Sequence, residues 1–508
     1  MVILDSPIIS LDSTAKIIEI MKSKYVCQIQ VQISGNPLYT GFFCYIHMGK
    51  IKVPVMITSL PVINNESFRN EKIIKFKFDK DYKEIKINDN RTIYTNEHYE
   101  IAIIEINPSK DKIKYFLDLD DNIFNENLYY YKDKSIYIIQ YNNEKGAISV
   151  SYGYLRNYFY RYDNLYDVFS YSCSTINGAS GSPIINLSNN KIIGIHMGYI
   201  KNMPDKMYNY GTKLALPINE FIISKYKEKN FINSKLISSG SYGDVYSAYS
   251  LILKKDICLK KINIEKMKLN YMKNQLNDYQ NDLDNEIKIL DLFGYHDNSI
   301  KNYGNYEEGN EKIIVMEKCD MNLKQFMEQK KSSLKIEEIK EQFSKINKLF
   351  YRLQFKRIIH RDLKLENILI KFINEKKTEY ILKLGDYGIG KFKSESNGIF
   401  SGLKGTPDTV APEIILEKKK TYENIIDIFS LGIILYQLSH NLKHPFGSNY
   451  IECLMNYQNN YEKDNIIISF DNSIENDDFK DLIRKMLKLN PENRLKWDEY
   501  FEHPFWKK

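Results

Sequence analysis

The sequence predicts a multidomain protein, with an N-terminal all-β sandwich or barrel pair followed by a C-terminal region of strands and then long helices. Three observations carry that prediction. The 508 residues exceed what one hydrophobic core usually holds. Short runs with period-two patterning, broken by Asn, Asp and Gly, fill residues 25–220. From about residue 232 a few strand-like runs give way to long amphipathic helical patterns.

The strand-like runs of the first region are VCQIQVQI (26–33), GFFCYI (41–46), VPVMITSL (53–60), IAIIEI (101–106), SIYIIQY (135–141) and KIIGIHMG (191–198). In the second region, strands are expected within Lys235–Ser247, Ile257–Ile262 and Lys312–Glu317. Helices are expected at Ile336–Phe355, Asp427–Ser439 and Asp477–Lys488. The charged stretch SKYKEKN (224–230) lies at the change. The expected division is a first domain over 1–222, a linker over 223–231 and a second domain over 232–506.

Composition narrows the function classes. At 43% hydrophobic the chain is near the globular norm, which excludes wholesale disorder. The net charge of +7 is shared almost evenly by the two regions and forms no polybasic arm, so nucleic acid is not an expected partner. No run of 18 apolar residues occurs, and the long candidate Ile425–Leu438 contains Asp427, so no membrane span is expected. The start MVILDSPIIS has no basic flank leading into an apolar block, and the expectation is a cytoplasmic protein. Cysteines 27, 44, 173, 258, 319 and 453 show no CxxC spacing and read as reduced thiols. The 40 tyrosines accompany abundant Ile, Asn and Lys, residues that share A/T-rich codons, so genome composition accounts for them.

Chemistry-bearing motifs of the second region occur in a fixed order. SSGSYGDVY (238–246) contains small residues that let backbone N–H groups approach and cradle an anion, although Gly/Ser hairpins are common. Lys260 follows in the strand ICLKK, on the face of Cys258 and Ile262. HRDLKLEN (360–367) sets Asp362 and Asn367 five apart with Lys364 between them, and DYG (386–388) follows the apolar strand ILKL. A carboxylate and an amide converging on one point suit a Mg²⁺ ion on phosphate oxygens, and a second carboxylate can take a hydroxyl proton.

With Glu286 in NEIKIL, APE at 411–413, Asp427 in DIFSLG and Arg494 in NPENRL, residues 232–506 resemble the eukaryotic protein kinase family. That resemblance implies an α+β bilobal fold and an ATP-dependent Ser/Thr kinase with protein substrates, using Mg²⁺ or Mn²⁺. It assigns Ser238, Gly240, Gly243, Val245, Lys260, Glu286, Glu317 and Cys319 to ATP binding, with Met316 bordering the adenine pocket. Asp362 is the implied base, Lys364 the γ-phosphoryl neutraliser, and Asn367 and Asp386 the metal ligands. Glu413 and Arg494 are implied to form a structural ion pair, and Asp427 to support the catalytic loop. Lys364 two residues after the base is the Ser/Thr form. Ser238 departs from the usual first glycine, and Tyr387 from the usual phenylalanine. Ser394, Ser396, Ser401 and Thr406 are candidate phosphate acceptors whose charge could pair with Arg361.

In the first region GASGSP (178–183) places Ser180 among glycines, where its hydroxyl can be exposed and neighbouring N–H groups can converge. Together with TGFFC, VPVMITS, IAIIEI and KIIGIHMG, it resembles the trypsin-like serine peptidase family, particularly the intracellular protist and viral branches. The resemblance places the general base at Pro61, in ITSLPVI, and the orienting carboxylate at Glu100, in EIAII. Proline cannot accept a proton, so the expectation is a pseudoprotease that keeps only the nucleophile position. His196 is implied either to recognise Glu or Gln side chains or to be a packed strand histidine. The expected role of this region is to bind a peptide or protein ligand and adjust kinase output. The competing expectations are a bifunctional enzyme, with His47 or His98 as a substitute base, and a non-catalytic scaffold.

Overall fold

The computed structural model describes residues 16, 19–21, 24–30, 38–64, 72–78, 81–87, 91–125, 127, 129–141, 148–159, 168–202, 206–239, 243–265, 276–294, 296–387, 391–392, 408–416, 424–464 and 467–507. Packing groups the chain into two compact units. One holds residues 1–239, 244–259 and 303–308, and the other holds 240–243, 260–302 and 309–508.

The first unit begins with β1 (Val26–Gln30), β2 (Leu38–Met48), β3 (Ile51–Ser59), β4 (Ile73–Phe78), β5 (Asp81–Lys86), β6 (Ile93–Asn96), β7 (Ile101–Glu105) and β8 (Leu117–Asp118). These make one sheet in the order β5-β4-β1-β2-β3-β7-β6, with β8 added parallel to β2. Alternation places Ile74, Phe76 and Phe78 of β4 in a core with Phe43. The next six strands are β9 (Ser135–Tyr141), β10 (Ile148–Phe159), β11 (Val168–Tyr171), β12 (Pro183–Asn186), β13 (Lys191–Asn202) and β14 (Lys206–Lys213). They close into a barrel in the order β10-β11-β14-β13-β12-β9. The expected strand over 26–33 ends its described part at Gln30.

The charged stretch expected between the two regions is helical. Helix α1 (Ala215–Asn230) buries Ile218, Phe221, Ile222 and Ile223 and runs directly into β15 (Phe231–Ser239). β15 pairs antiparallel with β16 (Gly243–Ser250), from Phe231↔Ser250 to Ser239↔Asp244. β17 (Lys255–Asn263), α2 (Leu276–Phe293), β18 (Asn302–Glu308) and β19 (Glu311–Glu317) follow.

The core of the second unit is mainly helical, with α3 (Leu323–Lys330), α4 (Ile336–Phe355), α5 (Ile425–Ser439), α6 (Tyr450–Asn460) and α7 (Asp477–Met486). α4 spans the predicted Ile336–Phe355 and buries the 3–4-spaced Ile339, Phe343, Ile346 and Phe350. α5 is apolar almost all round and correspondingly buried, a central helix rather than a surface one. Among the described residues no helix is long and apolar enough to cross a membrane. All six cysteines are free thiols.

Candidate active sites

The polar cluster of the second unit is assembled around one hairpin. β20 (Ile368–Phe372) and β21 (Tyr380–Leu384) pair from Ile368↔Leu384 to Phe372↔Tyr380. The residues just outside the first pair, Asn367 and Gly385, therefore meet, and the Gly385 N–H donates to the Asn367 carbonyl at 3.0 Å. The loop before β20 is fixed from α5. The buried Asp427 carboxylate accepts the His360 N–H at 2.7 Å and the Arg361 N–H at 2.9 Å. Arg361 has φ 71°, a left-handed conformation that a long side chain rarely adopts unless its surroundings impose it. His360 donates from Nε2 to the Gly385 carbonyl at 3.2 Å, tying the loop to the strand that leads to Asp386.

Two ionic clusters result. In one, Asn367 Nδ2 donates to the Asp362 carbonyl at 2.8 Å and to its Oδ2 at 3.1 Å, while Lys364 Nζ reaches the same Oδ2 at 2.8 Å. In the other, Lys260 Nζ lies 2.6 Å from Glu286 Oε1 and 2.8 Å from Asp386 Oδ1. The Lys260 ammonium holds the half-exposed Asp386 carboxyl down at about 2, against the opposing effect of burial. Burial alone would lower Lys260, but the Asp386 and Glu286 carboxylates outweigh it and hold its pKa above the usual value. Burial pushes Glu286 up, and Lys260 pulls it back.

The remaining nucleotide positions divide. Ser238 and Val245 face each other as a Cα pair across β15 and β16. Gly240 and the candidate acceptors Ser394, Ser396, Ser401 and Thr406 lie outside the described residues. Gly243 is required by packing, since a Cβ there would stand 1.9 Å from the Lys261 carbonyl oxygen. The Glu317 side chain is taken, because its Oε2 lies 3.0 Å from the buried Lys383 Nζ, which also donates to the Asp297 and Ser299 carbonyls. Any contact from Glu317 to a nucleotide is left to its backbone. Cys319 is partly exposed just beyond. Sequence reasoning missed Lys383 and Ser299. A lysine inside the apolar run ILKL was the available signal for the first.

In the first unit, Ser180 sits in a turn where Gly178 and Gly181 have φ 100° and 91°. A Cβ on Gly181 would lie 1.9 Å from the Thr40 carbonyl oxygen, so this turn packs directly on β2. The Thr40 N–H donates to the Ser180 carbonyl at 2.9 Å, and Thr58 Oγ1 donates to the Thr40 carbonyl at 3.0 Å. Just past Thr58, the Leu60 N–H donates to the Glu100 carbonyl at 2.8 Å. Pro61, Glu100 and Ser180 are thus gathered at one end of β2, β3 and β7. Pro61 opens a single helical turn, and the Ser180 hydroxyl donates to the Met197 carbonyl at 3.1 Å. His47 pairs with Asp118 at 2.8 Å, seven residues along β2 from Thr40, a span of about 23 Å. That distance removes it as a substitute base. His98 stands edge-on to Tyr99 in the turn before Glu100.

His196 lies beneath the same cleft, about 940 Å³ in volume and lined by Ser174–Ser180, His196–Tyr199, Asn209 and Tyr210. The Tyr171 hydroxyl bonds Nδ1, and the ring is bonded to the Tyr210 backbone as well. Burial drives its pKa down to about 4, so the imidazole is neutral at pH 7.

A family model described as a protein kinase domain matches residues 231–506, more than half of the chain. The chain belongs to the protein kinase family. A second model, described as a trypsin-like peptidase domain, matches residues 40–195. The probable serine/threonine-protein kinase nek3 of Dictyostelium discoideum is 32% identical over 297 residues, 56% of this chain and 23% of that protein. The putative serine/threonine-protein kinase R517/R518 of Acanthamoeba polyphaga mimivirus is 31% identical over 312 residues, 56% of this chain and 64% of that protein. The human serine/threonine-protein kinase Nek5 is 30% identical over 223 residues, 44% of this chain and 29% of that protein. The matched region thus spans less than two thirds of each of these relatives.

The kinase domain is braced by a buried fork. Arg494 Nη1 and Nη2 each donate to a Glu413 carboxylate oxygen at 2.8 Å, with both side chains shielded from solvent. This pair is far more a packing element than a chemical one, as the sequence implied.

Proposed function

We propose that this chain is an ATP-dependent Ser/Thr protein kinase acting on protein hydroxyls. One observation carries the reading: Lys260 is already bonded to both Glu286 and Asp386, at 2.6 and 2.8 Å, in the unit that also joins Asp362, Lys364 and Asn367. Lys260, steadied by Glu286, holds the α- and β-phosphates. Asp362, fixed by Asn367 and Lys364, orients the acceptor hydroxyl and takes its proton, while Lys364 neutralises charge on the γ-phosphoryl group. Asn367 and Asp386 offer an amide and a carboxylate oxygen, hard donors that fit Mg²⁺ or Mn²⁺ shared with phosphates. The bound ion supplies neutralisation between phosphates, and ATP supplies the group transferred. The test is transfer of labelled γ-phosphate from ATP with Mg²⁺ to a general protein acceptor. Asp362→Asn and Asp386→Asn should each lower the rate by at least about 10²–10⁴. Parent-like rates in both variants would overturn the proposal.

For residues 1–222 we infer a degenerate trypsin-like module that binds a peptide or protein ligand in the Ser180 cleft. His196 is 3% exposed and bonded to the Tyr171 hydroxyl and the Tyr210 backbone, which favours the packed strand histidine over a recogniser of the ligand's side chain. Proteolysis is disfavoured by Pro61 at the base position and by the Ser180 hydroxyl's bond to Met197. A serine-directed phosphonate should leave Ser180 of the folded protein unlabelled. The free thiols agree with an intracellular setting.

A further inference from the structure

The division by packing does not coincide with the division by motif. Strands that the kinase match includes, β15, β16 and much of β18, pack with residues 1–230 in one compact unit. The joint is the last residue of α1. Asn230 is fully buried; its carbonyl accepts the Leu251 N–H at 3.0 Å, and its Oδ1 accepts the Ile252 N–H at 2.9 Å and the Ser250 hydroxyl at 3.2 Å. Ile252, 2% exposed, belongs to the same apolar cluster as Phe221 and Ile222 of α1 and Met48 and Val53 of the first sheet. Leu251 packs over the β2–β3 turn, where a Cβ on Gly49 would stand 3.5 Å from it. α1 also grips β18, with Asn219 donating to the Tyr303 carbonyl and Lys227 to that of Glu307.

The contacts of Asn230, Leu251 and Ile252 fall at one end of the β15–β16 hairpin, where Phe231 pairs with Ser250. Ser238, Ser239 and Gly243–Val245 lie at the other end, with Gly243 about 23 Å from Ser250 along β16. β15 does little to hold itself, since Ile232, Leu236 and Ile237 are 39%, 56% and 53% exposed. β15 is an edge strand whose sheet partner is β16, while β16 also pairs with β17, so the anchored root adds a hold on β15 that its open edge does not supply.

We propose that the trypsin-like region is a fixed bracket for this hairpin, with Asn230 and Ile252 as positioning residues that set the nucleotide-covering segment from its far end. The proposal rests on the kinase reading above for what the hairpin covers, and on the root contacts for the bracket itself. It differs from a tethered module in requiring no ligand.

The test uses the full chain with Asn230→Ala, Asn230→Asp and Ser250→Ala. Amide hydrogen exchange over Phe231–Ser250 should rise about tenfold in Asn230→Ala without a matching rise in α4 and α5. The KM for ATP should rise about threefold to tenfold with kcat within about twofold, the split expected of lost positioning. Asn230→Asp keeps the Oδ1 acceptor for the Ile252 N–H and the Ser250 hydroxyl but buries a carboxylate, so it should recover both readouts only in part. If Asn230→Ala fails to fold, Ser250→Ala, which removes the hydroxyl's bond to Asn230 and the one it accepts from the Leu253 N–H, should show the same changes to a smaller extent. Parent-like exchange and KM in a folded variant, or exchange raised equally across the chain, would overturn the bracket. A parent that transfers no phosphate would sink the kinase reading, and exchange together with direct titration with ATP and Mg²⁺ would still decide the bracket.

Discussion

The Lys260 cluster and the Ser180 cleft make a natural comparison, because each inherits the scaffold of an enzyme site and only one keeps the charges. Around Lys260, Glu286, Asp386, Asp362, Lys364 and Asn367, charged and amide groups are bonded to one another at 2.6–3.1 Å. Around Ser180 the backbone devices persist: two left-handed glycines, a turn packed on Thr40, and converging strand ends. The titratable set is incomplete, since the proposed alignment puts Pro61 at the base position and leaves only the Glu100 carboxylate with Ser180. Backbone geometry therefore outlasts chemistry, because the same turns and strand pairings also stabilise the fold, whereas a general base serves only the reaction.

The sharpest way to break the comparison is a paired substitution. Lys260→Met should reduce γ-phosphate transfer by about 10² or more, because it removes a phosphate contact and leaves Glu286 buried without its partner. Ser180→Ala in the same assay should leave the rate within about twofold. A large loss in Ser180→Ala would mean that the cleft is coupled to phosphoryl transfer after all. Next in size, Arg494→Ala should destabilise the protein by about 3–5 kcal/mol, because it strands the buried Glu413 carboxylate. Chemical unfolding checks it, and a loss below about 1 kcal/mol would contradict the assignment.

Much of this was legible in the sequence for a physical reason. Residues that act through charge stand in short, rigid segments, so their spacing is nearly fixed; HRDLKLEN and DYG single out Asp362, Asn367 and Asp386, the polar groups proposed above for phosphoryl transfer. The helix over Ile336–Phe355 was legible because its apolar positions repeat at 3–4 spacing. Contacts formed between distant segments left no such trace. Nothing in SKYKEKN signals that the preceding Phe221–Ile223 are buried, or that Asn230 receives three bonds from Ser250, Leu251 and Ile252. Glu317 was assigned to nucleotide binding by position, and only tertiary structure reveals that Lys383 occupies its side chain.

A pH experiment sharpens the comparison in the trypsin-like region. The folded pKa of His196 is about 4, below the unfolded value of about 6.5, so the folded state resists the proton. The corresponding stability is complete above about pH 6.5 and is lost as pH falls toward 4, by up to about 3 kcal/mol. His196→Gln, which can still accept the Tyr171 hydroxyl, should flatten that slope in unfolding curves measured at pH 7 and 5. Asp386 behaves differently: held at about 2 when folded and near 3.8 when unfolded, it is ionised in both states between pH 7 and 5, so its pairing with Lys260 should not contribute to that slope.

The smallest expected effect concerns the departure from phenylalanine in DYG. Tyr387 is fully buried against His360, and its hydroxyl lies 3.2 Å from the equally buried Ser299 Oγ. A phenylalanine would fill the same space, so the ring alone does not require the hydroxyl. What the hydroxyl adds is one neutral hydrogen bond beside Asp386, the proposed metal ligand, worth about 0.5–1.5 kcal/mol. Tyr387→Phe should therefore lower kcat/KM less than about tenfold, and Ser299, which retains a 3.4 Å contact to the Ile300 carbonyl, is only partly stranded. A double-mutant cycle with Ser299→Ala isolates the pair, and a coupling of about 1 kcal/mol is expected. Zero coupling would make the tyrosine a packing ring like the phenylalanine it replaces, and the kinase cluster would then owe its alignment to Lys260 and Asp427 alone.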